Sequence, residues 1–385
     1  MPSRKAFRFC LAVGVIMFTI YTPAEAFADT EEKIEQTVNL YTSQIQSTYS
    51  FSRSRLRSES STQQKLAEEN GYNKFATPDT MTIDSAEVKA NILKAEDHDG
   101  EYSVVADITT ILHQRPNKNV TITIGDEERD VLDSSATDMH RLTLAKDVNV
   151  QTGYRIISDE IIGAADSQVD IKMVSHNAPF ILQTEESAAP SAAMESKAGF
   201  DYLTAVTYAE KWTENGSNCT NPEYPSDPAG PFCTGAQCTY FVSQVLHVGG
   251  LPATDIDIHN YKSDDRWGFK KQPHNYFTSF TWGAADNNYR YMKNYSNIFD
   301  VENNYHRLGA GSLIYADWQE EGKNDGHIDH AMVVVGSKVI RDDNGRVVDA
   351  YPIICQKSVN RHDWDFQNTL KDAPGAKWYG LQLRY

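Results

Sequence analysis

The sequence predicts an α+β chain in two parts, and three observations support this. A helical pattern near the start gives way to a series of alternating strands. A second helical block later leads into an all-apolar strand. All six tryptophans lie between Trp212 and Trp378, so the two parts differ in composition. Between them runs QTEESAAPSAAMESKAG, residues 183–199, which lacks large apolar side chains and reads as a flexible linker. The expected organisation is a signal peptide over 1–28, an N-terminal α+β accessory domain over 29–182, the linker over 183–199, and a second domain over 200–385.

The start of the chain carries Arg4, Lys5 and Arg8, then an apolar run from Phe9 to Tyr21. Small residues at Ala24, Ala26 and Ala28 follow, offering cleavage after Ala26 or Ala28. The run is short of the roughly 18–20 residues that span a bilayer. It reads as a secretory signal, so a secreted or cell-wall-associated protein with no stable membrane insertion is expected. The formal charge is −17, and removing residues 1–28 takes away three basic residues and one acidic one, leaving −19. Such a chain repels nucleic acid and anionic membranes, so neither is an expected partner.

In the first part, Ile34, Val38, Leu40, Tyr41 and Ile45 give residues 30–46 the apolar face of a helix. A polar, serine-rich stretch follows. Strands are expected at 86–95, 102–112, 120–124, 141–144 and 153–157. Val104, Ala106 and Ile108 alternate with Val105, Asp107 and Thr109 as in a half-buried strand. One helix and a meandering sheet fit a cystatin-like or NTF2-like module. With no catalytic spacing in it, this part is read as a binding or positioning domain.

In the second part, Tyr202, Ala205, Val206, Ala209 and Trp212 recur at helical spacing. A loop rich in Pro, Gly and Asn follows, bracketed by Cys219 and Cys233, and a disulfide between these two is expected. Next comes GAQCTYFVSQVLHVGGLP, residues 235–252, in which Cys238 opens a helix that Gly249 and Gly250 terminate. A cysteine there suits thiol chemistry, because the unpaired amides and the helix dipole favour the thiolate. A base is then required. His330 stands just before AMVVVG, an apolar run that must be a buried strand, whereas His327 lies in the preceding loop. No CxxC pair exists, so a zinc site built from the cysteines with His327 and His330 is not expected, and no cofactor is invoked.

After the strand, DDNG reads as a hairpin turn. Pairing sums near 687 or 689 put Lys357 or Val359 opposite His330, with odd-numbered residues on its face. The group that orients the imidazole is then expected from residues 356–360. A protonated lysine cannot accept a hydrogen bond. Asn360 is therefore favoured slightly over Gln356, which a regular strand turns to the opposite side.

Together the AVTYAEKW helix, the NPEYP loop, the CTYFVSQVLHVGGLP helix, GSLIYADW and HIDHAMVVVG resemble the amidase domain family of secreted bacterial proteins. That family is a branch of the papain-like clan with the CHAP and NlpC-type cell-wall hydrolases. The resemblance runs over about residues 200–370. It implies a papain-like cysteine hydrolase fold, Cys238 as nucleophile, His330 as base, and amide hydrolysis through a thioester. A peptide or peptidoglycan-like substrate follows from the clan and the expected export. Relatives carry an acidic or small residue where this chain has Gln237, an asparagine at Tyr240, and a histidine at Lys357. These departures keep open a non-catalytic surface or binding protein that retains the fold. Trp267 and Trp318, in polar surroundings, are candidates to line a cleft.

Overall fold

A computed structural model describes residues 23–50, 62–71, 79–162, 199–226, 236–273, 275–319 and 322–384. The expected signal peptide falls mostly outside these residues, as does nearly all of the expected linker. The first element, α1 (Pro23–Ser50), starts inside the expected signal. Among the described residues no helix is long and apolar enough to cross a membrane.

Helix α1 buries Ile34, Val38, Tyr41 and Ile45, as the spacing predicts, but Leu40 is exposed. A second helix, α2 (Thr62–Glu69), arises partly within the polar stretch for which no element was expected. Its residues are strong helix formers with little apolar periodicity. Its buried Gln63 bonds Gln44 of α1 and accepts the Ile156 amide. Strands β1 (Met81–His98), β2 (Glu101–Pro116), β3 (Val120–Ile124), β4 (Glu127–Arg129), β5 (Leu132–Lys146) and β6 (Tyr154–Ile161) follow. The alternation in β2 holds: Val104, Ala106 and Ile108 are buried and the residues between them are not.

The later elements are α3 (Tyr202–Thr213), α4 (Gln237–Val248), β7 (Phe269–Lys271), β8 (Tyr276–Thr278), α5 (Phe280–Gly283), α6 (Ala285–Asn294) and β9 (Phe299–Val301). Then come β10 (Leu313–Asp317), β11 (His330–Arg341), β12 (Val347–Gln356), β13 (Asn360–Asp365), α7 (Phe366–Asp372) and β14 (Lys377–Leu383). Asp201 caps α3 by accepting the Leu203 and Thr204 amides. Helix α4 stops at Gly249, and Gly250 takes a positive φ of 101° that favours glycine.

One 12-stranded sheet holds most of the strands, in the order β1-β2-β5-β13-β12-β11-β10-β14-β9. It runs unbroken from the first part of the chain into the second. Ser135–Thr137 of β5 pair with His362–Asn360 of β13, and β3 pairs with the outer half of β11. A Cβ on Gly336 would meet the Thr123 carbonyl at 1.9 Å, so β3 can lie against β11 only because that residue is glycine. A buried ion pair and a buried hydrogen bond reinforce the seam. Arg361 Nη2 lies 2.6 Å from Asp138 Oδ1. Lys338 pairs with Asp365 and donates to Thr80 Oγ1 at 3.1 Å.

Helices α3 and α4 cover one face of the second part's sheet, over Val333, Val335, Ile353 and Cys355. The other face packs Met332, Val334, Ile354 and Trp364. A third core lies between α1 and α2 and the N-terminal strands.

Candidate active site

Cys238 is the second residue of α4, one place later than expected, with Ala236 as the N-cap. Of the apolar face expected for this helix, Phe241, Val242, Val245 and Leu246 are buried, whereas Val248 is only half-buried. Polar residues on its other sides are buried too, each with partners. Ser243 accepts from Trp267 Nε1 at 3.0 Å and donates to the Trp282 carbonyl at 2.9 Å. Gln244 accepts from Tyr208 and from the Asn221 amide. Trp267 is fully buried, its ring centroid 4.8 Å from that of Trp282, so it belongs to the core rather than to a cleft.

The thiol of Cys238 lies 3.6 Å from the Thr239 hydroxyl and 4.0 Å from the Asp329 carbonyl, within the electrostatic reach of the His330 imidazole. Burial pushes this thiol up, but the charge and hydrogen bond of His330, the Thr239 hydroxyl and the Ala331 amide bring it down to about 7. His330 is itself buried, at the first position of β11. Its Nε2 atom is buried without a hydrogen-bond partner. The half-buried ring of Trp318 lies over the imidazole, centroids 5.5 Å apart at 36°. His327 is exposed, as expected.

The hairpin between β11 and β12 turns where DDNG predicts, with Asp342 accepting the Asn344 and Arg346 amides. The parity argument fails further along. Gly336 pairs with Ile353, but Val334 pairs with Ile354, because a bulge inserts Val335 as an extra residue of β11. The pairing sum falls by one, so even-numbered residues of β12 share the face of His330. Gln356 is on that face and Lys357 is not.

The expected preference for Asn360 is not matched by its contacts. Its Oδ1 accepts from Lys357 Nζ at 2.8 Å and its Nδ2 donates to the Thr213 carbonyl at 2.8 Å. Both ends of the amide are engaged in holding the turn. Lys357 is fully buried, which brings its ammonium down to about 7, and it also donates to the Ser217 carbonyl. Gln356 donates from Nε2 to the Val359 carbonyl at 3.1 Å, while its Oε1 is buried without a partner.

Sequence reading missed the role of Ser358. It has a positive φ of 75°, a conformation costly for a residue with a Cβ, and its Oγ accepts the backbone N–H of Cys238 at 3.0 Å. A lone serine after a lysine carries no pattern that would mark it.

Cys219 is disulfide-bonded, and Cys233, its expected partner, lies outside the described residues. Cys238 and Cys355 are free.

Residues 199–380 match the family model described as "Putative amidase domain", which covers slightly under half of the chain. The match supports amide hydrolysis, at C–N bonds, as the class of chemistry for this segment. No curated protein matched the chain. No solved structure matched it.

Proposed function

We propose that residues 200–385 form a cysteine amidase with Cys238 as nucleophile, His330 as acid and base, and Gln356 as the residue that orients the imidazole. The observation that carries this reading is the placement of a buried Cys238 in the first turn of α4 with a buried His330 at the start of β11, which brings the thiol down to about 7. A thiolate–imidazolium pair near neutral pH is what amide cleavage requires. The thiolate attacks the substrate carbonyl carbon, and a C–S bond forms. The tetrahedral oxyanion then collapses, the C–N bond breaks, and the imidazolium gives its proton to the leaving amine. Water, deprotonated by the imidazole, attacks the thioester, and the C–S bond breaks to return the thiolate.

The backbone amide of Cys238 is the natural donor to the oxyanion. It is engaged by Ser358 Oγ at rest, so the substrate carbonyl must take the place of that hydroxyl. Gln356 is favoured over Asn360 because its Oε1 and His330 Nε2 are both buried and unpartnered on one face of the sheet. A hydrogen bond between them would satisfy two buried groups at once. It also fixes the tautomer.

The chain is read as exported, with cell-wall peptides as substrate, on the basis of its first 28 residues and the resemblance of its second part. Digestion of purified peptidoglycan with the wild-type chain and with Cys238→Ala, with products identified by mass, tests this reading. Peptide fragments released by the wild type alone are expected. Equal release by Cys238→Ala would remove the cysteine mechanism.

A second reading, a binding protein that retains the fold, is favoured by one observation: Cys238 is only 4% exposed and its amide is already capped. A chain of that kind digests nothing and leaves Cys238 inert to alkylating probes.

A further inference from the structure

We propose that Cys355, His362 and Asp363 form a binding site for a divalent transition-metal ion, with zinc as the best fit to its donors. The site belongs to the strands β12 and β13 and uses neither Cys238 nor His330. One donor atom from each of the three residues lies within 4.8 Å of the others.

The convergence has a cause in the backbone. Ile354 pairs with Trp364 and Gln356 with Arg361, so His362 and Asp363 together oppose the single residue Cys355. That is a β-bulge, which turns two successive side chains toward one side instead of alternating them. Asp363 takes a positive φ of 44° to achieve it, a strained conformation for a residue other than glycine. In a regular strand His362 and Asp363 would point to opposite faces and no site would exist.

The spacing fits an ion better than hydrogen bonds. Cys355 Sγ lies 3.8 Å from Asp363 Oδ1, and His362 Nε2 lies 3.8 Å from Asp363 Oδ2. The second gap is too wide for a hydrogen bond. Two ligand atoms held about 2.0–2.3 Å from a tetrahedral ion stand roughly 3.3–3.6 Å apart, so these two gaps need a few tenths of an ångström, and side-chain rotation must draw in the remaining pair, which lies within 4.8 Å. Among the described residues the buried Asp363 carboxylate accepts a hydrogen bond from the weak thiol donor Cys355 and feels the exposed Arg129 guanidinium, but the carboxylates of Glu210 and Asp133 act against it, so its charge calls for further compensation. A bound cation provides it.

The imidazole is also prepared. His362 Nδ1 lies 3.0 Å from Thr213 Oγ1, whose own proton has the Ala209 carbonyl at 2.9 Å. With the hydroxyl donating to that carbonyl, Nδ1–H donates to the hydroxyl, and the Nε2 lone pair faces Asp363. This is the second hydrogen bond that orients metal-bound histidines. Thiolate, imidazole and carboxylate together suit zinc or its neighbours rather than calcium or magnesium. Binding replaces the thiol proton of Cys355 with a bond to the metal and releases that proton. The ion would join β12 to β13 on either side of residues 357–359, the turn that presents Ser358 to the Cys238 amide.

The test uses the full chain with Cys238→Ala, freed of metal by a chelator and titrated with cobalt(II) as a spectroscopic probe, then displaced with zinc(II). This background removes the other free thiol among the described residues and makes the result independent of whether the chain is an amidase. One ion per chain is expected, with the thiolate-to-cobalt charge-transfer absorption and strong visible bands of a four-coordinate site. Adding Cys355→Ser should abolish the charge-transfer absorption, and His362→Gln should weaken binding by at least about tenfold. If the Cys355 variant does not fold, the half-buried His362 carries the test. Absence of stoichiometric cobalt binding, or a thiolate band that survives Cys355→Ser or an affinity unchanged by His362→Gln, would overturn the proposal.

Discussion

At the scale of single residues, the account turns on which amide faces the imidazole. Gln356 and Asn360 differ by four positions, and their surroundings assign them different work. Asn360 is fully buried and bonds both Lys357 and the Thr213 carbonyl. Its replacement by Ala removes one of two partners from each group, since Lys357 also donates to the Ser217 carbonyl and the Thr213 carbonyl also accepts the Gly216 amide, at about 0.5–1.5 kcal/mol for each lost bond. We therefore expect Asn360→Ala to lower the denaturation midpoint while the folded fraction keeps most of its turnover. Gln356→Ala should do the reverse: near-normal stability, with a rate down tenfold or more, about 1.4 kcal/mol in the barrier. Paired denaturant melts and single-substrate rates separate the two, and a rate loss confined to Asn360→Ala would return the orienting role to that residue.

At the scale of elements, much was legible because periodicity follows burial. Val104, Ala106 and Ile108 in β2, and Phe241, Val242, Val245 and Leu246 in α4, stood out because each lines a core. The cysteine at a helix start and the histidine at a strand start were readable for the same reason. Helix α2 was not, since Gln63 and Ala67 are all that it buries. Nor was the bulge at Val335, because an extra residue in a strand leaves no mark in an unbroken apolar run. That one residue reverses which side of β12 meets His330, so the hairpin arithmetic pointed at Lys357 instead of Gln356. The bulge stands beside Gly336, where β3 makes its close approach. Gly336→Val should force β3 away from β11 and destabilise the chain by roughly 1–3 kcal/mol or more. Thermal melts against wild type measure it. An unchanged midpoint would mean that β3 does not depend on that contact.

At the scale of the whole molecule, the two compositionally distinct parts share one sheet. The ladder from β5 to β13 and the Arg361–Asp138 pair place the N-terminal part directly against the strand that follows the turn carrying Ser358. A chain reduced to residues 199–385 would expose the free edges of β13 and β11 and leave Arg361 buried or half-buried without its carboxylate. Such edges invite association between chains. We expect that fragment to be insoluble or aggregated, and Arg361→Ala in the full chain to cost about 3–5 kcal/mol, as loss of one partner from a buried pair does. Size-exclusion chromatography of the fragment and denaturant melts of the variant check both. A soluble monomeric fragment with full activity would instead make the N-terminal part a dispensable accessory.

The central claim is that His330 holds the Cys238 thiol ionisable near neutral pH. The most direct measurement is the rate of alkylation at Cys238, located by peptide mapping, as a function of pH in the wild type and in His330→Ala. Burial raises the thiol and His330 lowers it, with a balance at about 7. The wild-type rate should therefore rise through a midpoint near 7. With the imidazole gone, the push from burial remains, and the midpoint should move above the ordinary cysteine value of about 8.5. The same midpoint in both proteins, or a Cys238 that does not react at any pH while the chain stays folded, would contradict the account.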